Sequence, residues 1–413
     1  MALSAYVGTF AQPTATGTAG VTGVGFQPKA LLFWGNNQTA SGTSSSTYEA
    51  MGMATGTVSE GYFSNYSPNA VGSVTSRRNY STTNCYGVSS TVGTAVAQAD
   101  FVSFDSDGFL LNWNRADANA RVVNFLALGG DDLTNANVIG ITSATIASTV
   151  SYTGVGFQPD FLCFLTTVQT SASTTTFSVP SVGFSNGTGN ITLTKSVPVE
   201  GGGPVGGKLS NNRSVITTSG TANFIEGSIT SLNSDGFSIS WNPTGTTGRL
   251  YSVLCLKGGQ YVIGTAAQLT SNGTQDLTGF GFQPKAALLL GNNSQTINTN
   301  VSTSRFSFGG FSGTSIQASM WSGDGDTGVL SISNSNLETT HAISMFTEGT
   351  LGPALNSQAD FVSFDSDGVS LNWTTTDATA RLFGYVAFGD TPAGTQTGLK
   401  GLIMTNGFIP FYR

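Results

Sequence analysis

The chain has 413 residues, a formal net charge of −7, a sequence pI of about 4.6, only 9% charged residues and 54 glycines. That balance excludes a positive field able to gather nucleic acid or an anionic membrane surface, and 38% hydrophobic residues with 27 Phe and 11 Tyr exclude a disordered chain. Polar positions filled by Gly, Ser, Thr and Asn point to an all-β protein rich in turns, with room for about two to four domains.

The opening Met1-Ala2-Leu3-Ser4-Ala5-Tyr6 lacks the basic flank and apolar stretch of a secretory signal, and no run approaches the ~18 apolar residues of a membrane span. Synthesis in the cytoplasm is therefore expected. The first strand is read around Tyr6-Val7-Gly8. Gly25-Phe26-Gln27-Pro28 then forms a sharp turn into an apolar run of strand length. Cys85 is the first of three cysteines, with Cys163 and Cys255, in a spacing that suits neither a disulfide framework nor a zinc site, so all three are read as buried thiols.

Farther on, Phe101–Phe104, Asp105-Ser106-Asp107-Gly108 and Phe109–Trp113 read as strand, turn and strand, because aromatic and β-branched runs bracket turn formers. Arg121–Leu128 is a further strand, apolar on nearly both faces and therefore central. No segment sustains a helical period.

These landmarks recur. Ala99–Gly108 returns unchanged as Ala359–Gly368, followed by Leu371-Asn372-Trp373 and Arg381. A more diverged middle copy carries Asn233-Ser234-Asp235-Gly236, Trp241 and Arg249. The turn landmark returns as Gly156-Phe157-Gln158-Pro159 and Gly281-Phe282-Gln283-Pro284, and the opening as Val138-Ile139-Gly140 and Val262-Ile263-Gly264. The expected organisation is three tandem antiparallel β-sandwich modules, jelly-roll-like, of about 130 residues and about eight strands each: 1–133, 134–258 and 259–393, with a carboxy-terminal arm at 394–413. A chain of this design places three similar units about a pseudo-threefold axis. Between the landmarks the copies share little sequence, which implies variable loops on a common frame.

Three sets of residues invite a chemical reading. The Asp-Ser-Asp-Gly turns, with Asp107, Asp235 and Asp367, resemble the start of a calcium loop, but the acid at its twelfth position is missing, and a capped hairpin turn accounts for all three copies. Arg121, Arg249 and Arg381 follow Trp113, Trp241 and Trp373 at constant spacing and are read as arginines stacked on those rings and paired to turn carboxylates. Gln27, Gln158 and Gln283 belong to the turn landmark, whose next residue is Lys29, Asp160 or Lys285, a change of sign that conserved chemistry would not survive.

Catalysis finds little footing, because the single histidine, His341, has no counterpart in the other copies, and Glu49, Glu60, Glu200, Glu226, Glu338 and Glu348 read as scattered surface acids. No enzyme activity, metal or cofactor is expected. In the arm, Leu402, Ile403, Phe408, Ile409, Phe411 and Tyr412 form an apolar set suited to docking on a partner.

The repeated Gly-Phe-Gln-Pro-Lys-Ala with its apolar strand, and the Phe-Asp-Ser-Asp-Gly hairpin running into Leu-Asn-Trp, resemble segments of β-sandwich virion proteins of tailed bacteriophages, such as head decoration (cement) proteins and tail components. The resemblance covers all three copies and brings no catalytic residues with it. It implies a capsid decoration protein that bridges major capsid protein subunits or other virion proteins on the outer capsid surface. The alternative is a tail or adhesion module binding host-surface glycans, with Tyr48, Tyr62, Tyr66 or Trp321 as stacking platforms.

Overall fold

A computed structural model describes residues 2–70, 76–89, 94–172, 174–176, 178–197, 205–326 and 331–391, the side chains of 174–176 and 326 excepted. The strands of the first repeat are β1 (Leu3–Ala11), β2 (Gly17–Thr22), β3 (Pro28–Gly35), β4 (Gly42–Ser44), β5 (Ser46–Gly56), β6 (Ser59–Pro68), β7 (Arg77–Ser81), β8 (Tyr86–Ser89), β9 (Ala95–Asp105), β10 (Gly108–Arg115) and β11 (Val122–Gly130). The second repeat contributes β12 (Asn135–Thr142), β13 (Ser148–Thr153), β14 (Phe161–Thr166), β15 (Thr174–Thr176), β16 (Ser181–Ser185), β17 (Asn190–Ser196), β18 (Gly206–Ser210), β19 (Val215–Ser219), β20 (Ala222–Asn233), β21 (Gly236–Pro243) and β22 (Leu250–Lys257). The third contributes β23 (Gln260–Ala267), β24 (Gly273–Thr278), β25 (Pro284–Gly291), β26 (Ser304–Gly313), β27 (Ile316–Asp326), β28 (Ser331–Glu338), β29 (Ile343–Thr347), β30 (Ala354–Asp365), β31 (Gly368–Thr375) and β32 (Leu382–Gly389).

The described chain is all-β, and its strands pair antiparallel in six sheets. In the first repeat the larger sheet runs β1-β11-β3-β5-β6-β7 and the smaller β2-β10-β9-β8. The second repeats this order as β12-β22-β14-β16-β17-β18 and β13-β21-β20-β19, the third as β23-β32-β25-β26-β27-β28 and β24-β31-β30-β29. Each repeat thus supplies six and four strands of its own, ten in place of the eight expected from sequence. The surplus lies in the divergent stretch, where β5, β6 and β7 extend the larger sheet by hairpins.

Hydrophobic alternation explains both kinds of sheet. Away from their buried edge strands β8, β19 and β29, the smaller sheets bury one face: on β9 the inward Ala97, Ala99 and Phe101 alternate with partly exposed residues. The larger sheets bury both. On β3, Leu31 and Phe33 face the smaller sheet of their own repeat, while Leu32 and Trp34 face away from it into a core shared by all three repeats. Cys163 and Leu165 on β14, and Leu288 and Leu290 on β25, enter the same shared core. Aromatic contacts cross the repeats there: Trp34 meets Phe308 at 5.4 Å between ring centroids, and Phe184 stacks on Phe308 at 6.4 Å.

The repeats also exchange backbone in a cycle. The connection after β3 sends β4 to pair with β28 of the third repeat, and the connection after β14 sends β15 to pair with β7 of the first. The connection after β25 sends Val301 to bridge Gly207 in β18 of the second. Each larger sheet therefore has its outer edge covered by another repeat, which removes an exposed row of N–H and C=O groups. The opening strands follow the same sense around the ring: β12 lies against β5 and β6, β23 against β17, and β1 against β26 and β27.

Candidate functional site

The repeated aspartates and glutamines turn out to be backbone anchors at one end of the ring. Asp107 accepts the N–H groups of Gly23 and Gly25 at 3.0 and 2.6 Å. Asp235 does the same for Gly154 and Gly156 at 3.0 and 2.6 Å, and Asp367 for Gly279 and Gly281 at 3.1 and 2.6 Å. The N–H groups of Gly154 and Gly156 hold the Asp235 carboxyl below the usual carboxylate range. The carboxylate thus caps the neighbouring glycine turn rather than its own hairpin. The first acid position is also occupied locally: Ser103 donates to Asp105 at 2.9 Å and Ser231 to Asn233 at 2.8 Å.

Gly108 in the same turn is required by close approach. At φ of 152° a Cβ there would lie 1.9 Å from the carbonyl oxygen of Val21 on β2, and at Gly236 and Gly368 the oxygens of Tyr152 and Leu277 would stand at 2.0 and 1.8 Å. Gln27, Gln158 and Gln283 close the link by donating to the carbonyls of Phe104, Leu232 and Phe364 at 3.0, 2.7 and 2.8 Å. The sign change after the proline has a simple cause. Lys29 donates to the carbonyls of Gly130 and Leu133, both at 2.8 Å, whereas Asp160 accepts the N–H of Gly258 at 2.7 Å. Both hold the segment that follows the repeat's last strand, from opposite hydrogen-bonding polarities.

Trp113, Trp241 and Trp373 are buried between the two sheets of their repeats. The indole of Trp241 donates to the Tyr152 hydroxyl at 2.9 Å and that of Trp373 to Gln275 at 2.7 Å. The arginines use other partners than those expected. Arg121 forms a bidentate pair with Asp117 at 2.6 and 2.8 Å, and Arg381 pairs with Asp377 at 2.6 Å, four residues upstream in both cases. Asp117 is thereby held down at about 2. The second repeat has Gly245 in that place, so Arg249 donates to the Val168 carbonyl at 3.0 Å and lies 5.0 Å over the Phe224 ring. The expected ring was a tryptophan; the arginine reaches a phenylalanine on β20 instead.

The other end of the shared core is polar, and sequence reading missed it. Glu49 on β5, Lys195 on β17 and Asp324 on β27 meet there, one from each repeat, with side chains at most 1% exposed. The Lys195 ammonium pairs with Asp324 at 2.6 Å and also with Glu49. Ser322 donates to Glu49, Ser333 donates to Asp324 at 2.7 Å, and Lys195 also donates to Ser322 at 2.9 Å. Burial pushes the Glu49 carboxyl up and the lysine partly offsets it, while the two acids hold the Lys195 ammonium above its usual range against desolvation.

By strand register the triad is not threefold. Where Glu49 stands, the other repeats have Pro180 and Phe306; in place of Lys195 they have Asn65 and Ser322; in place of Asp324, Ser67 and Val197. The one available signal was a charge at an inward position of an apolar strand, as in Tyr48-Glu49-Ala50-Met51-Gly52-Met53.

Several acids read as surface residues are therefore corrected. Glu49 and Glu60 are buried, Glu348 pairs with Arg305 at 2.7 Å, and Glu226 lies 3.6 Å from Lys208 and 3.5 Å from Arg213. Glu338 accepts from Asn336 at 3.0 Å. His341 contacts Asp360 at 2.6 Å, and the first repeat puts Asn84 against Asp100 at the corresponding place. Cys85, Cys163 and Cys255 are buried free thiols, with burial pushing all three up. Tyr62, Tyr66 and Trp321 are buried and Tyr48 is half-buried against Tyr66, so these rings are packing elements and not open stacking platforms. Leu402, Ile403, Phe408, Ile409, Phe411 and Tyr412, with Glu200, lie outside the described residues.

No protein-family model matches this chain, and no curated protein matches it. These side chains brace the fold, turn to turn at one end of the ring and repeat to repeat at the other.

Proposed function

We propose that the chain is a virion structural protein of a tailed bacteriophage, a non-enzymatic decoration protein seated on the outer capsid surface. In this reading it comprises three β-sandwich modules, 1–133, 134–258 and 259–393, jelly-roll-like in that the first strand of each pairs with the last and the second with the next to last. A single chain then presents the outline of a trimer and fits a threefold or quasi-threefold position among major capsid protein subunits.

The observation that supports this best is the cyclic exchange of β4, β15 and Val301 around a common apolar core. Such a ring is braced in all three directions at once, as a shell-stiffening element has to be. The sequence segments that resemble phage virion proteins supply the setting. The arm, 394–413, is assigned to contact with neighbouring capsid subunits.

Sedimentation tests the assignment. Tagged full-length protein mixed with DNA-filled heads and, separately, with purified tails should co-sediment with heads, and density averaged on the heads should lie over threefold positions. Binding to tails alone, or to a host-surface glycan array, would replace this reading with the adhesion one.

A further inference from the structure

The seams of the ring differ in how they are closed. Residues 131–134 lead from β11 into β12, and residues 258–259 lead from β22 into β23. Between β32 and β1 the described residues contain no such connection, so the seam of the third repeat with the first rests on side chains and strand pairing. At its polar end Thr47 donates to the carbonyls of Gly323 and Asn334, both at 3.2 Å, Ser67 contacts Ser333 at 3.1 Å, and β4 pairs with β28.

That seam also carries an electrostatic problem. Glu49 belongs to one side and Asp324 to the other, both buried. Two desolvated carboxylates facing each other repel strongly unless a cation lies between them. Lys195 pairs with both, and it comes from the second repeat, which is on neither side of the seam.

We propose that Lys195 is the latch of the ring: by neutralising Glu49 and Asp324 together, it holds shut the seam between the first and third repeats. With the latch removed, the two acids force that seam apart while the two linked seams persist. The opened chain then exposes complementary faces at its two ends and closes on other copies, a head-to-tail contact that builds oligomers.

Full-length Lys195→Met tests this at pH 8 by hydrogen exchange with mass spectrometry and by light scattering. Exchange should rise about tenfold or more in β1, β4 and β28, with β12 against β5 and β6 unchanged, and dimers or larger species should appear. A neutral triad, Glu49→Gln with Lys195→Met and Asp324→Asn, should restore the monomer and wild-type exchange at that seam, because it removes the repulsion along with the cation. Uniform acceleration over all three seams, or none, would overturn the latch. Should Lys195→Met fail to fold, the neutral triad decides: a monomer with wild-type exchange supports repulsion as the cause, and failure of that variant too refutes it.

Discussion

The backbone N–H of Leu3 donates to the Asp390 carboxylate at 2.7 Å, so the strand that opens the first repeat is tied to the residue just past the strand that ends the third. Asp390 also lies 3.4 Å from Lys285, and Thr391 beside it donates to Asp132 at 2.5 Å. One carboxylate thus gathers the first and third repeats. Leu3→Pro removes the donor at a strand's first residue, where proline is tolerated, and Asp390→Ala removes the acceptor. A double-mutant cycle by urea unfolding should return a coupling of about 1 kcal/mol, and additive effects would show that the bond contributes nothing.

The paired glycine N–H groups on Asp107, Asp235 and Asp367 make a calcium role testable. Each carboxylate is already committed to two backbone donors, so neither added calcium nor a chelator should move the thermal midpoint. Asp235→Ala should lower it and Asp235→Asn should lower it less, since the amide oxygen still accepts. The depressed carboxyl of Asp235 fixes the pH sign: its contribution is full above the ordinary aspartate range and is lost as pH falls through its lower folded value. An Asp235→Ala variant should therefore lose less stability than wild type on acidification.

Another threefold constraint lies where the sequences diverge. A Cβ on Gly52, Gly183 or Gly309 would stand 1.8, 2.0 or 2.2 Å from the carbonyl oxygen of Cys85, Ser214 or Ala342. These strand glycines let the segment before the smaller sheet's edge strand lie on the larger sheet. Backbone cannot yield as a flexible side chain can, so Gly183→Ala should cost about 3 kcal/mol or more by chemical denaturation. Gly23→Ala, with open space around it and φ of 83°, should cost only the milder strain of its conformation.

What was legible in the sequence follows from this contrast. The Asp-Ser-Asp-Gly turn, the Gln-Pro turn and the buried tryptophans announce themselves because local chemistry dictates them: a turn needs its glycine and a strand its alternation. The exchanged strands do not. Gly42-Thr43-Ser44 and Thr174-Thr175-Thr176 are short polar segments and carry no apolar period. Glu49, Lys195 and Asp324 are hidden for a different reason. They occupy non-equivalent positions, so comparing the repeats with one another makes each look like an isolated surface charge. Only the arrangement of three sheets about one core brings them together.

Glu60 offers the sharpest pH test, because its counterparts in the other repeats are known. A bulge in β9 leaves the N–H of Phe101 pointing at the larger sheet, where Glu60 accepts it at 2.8 Å. In the third repeat Gln317, at the same register, accepts the N–H of Phe361 at 2.8 Å; in the second the counterpart is Asn190, which accepts from Ser214 at 2.7 Å while the Ser214 hydroxyl accepts the N–H of Ile229 at 3.1 Å. The neutral partners do the same work without a charge to bury. Burial raises Glu60 from 4.5 to about 7, with the Phe101 bond opposing and Asp100 adding to the rise. A carboxyl whose folded value is raised binds its proton more tightly in the native state, so stability is unaffected well below the unfolded value and falls as pH climbs from there through about 7. The loss from pH 4.5 to 8 should be on the order of 2 kcal/mol. Glu60→Gln, which copies Gln317, should abolish that slope and leave the variant more stable than wild type at pH 8. Equal slopes in urea titrations of the two proteins across that interval would show that Glu60 ionises freely in the folded chain.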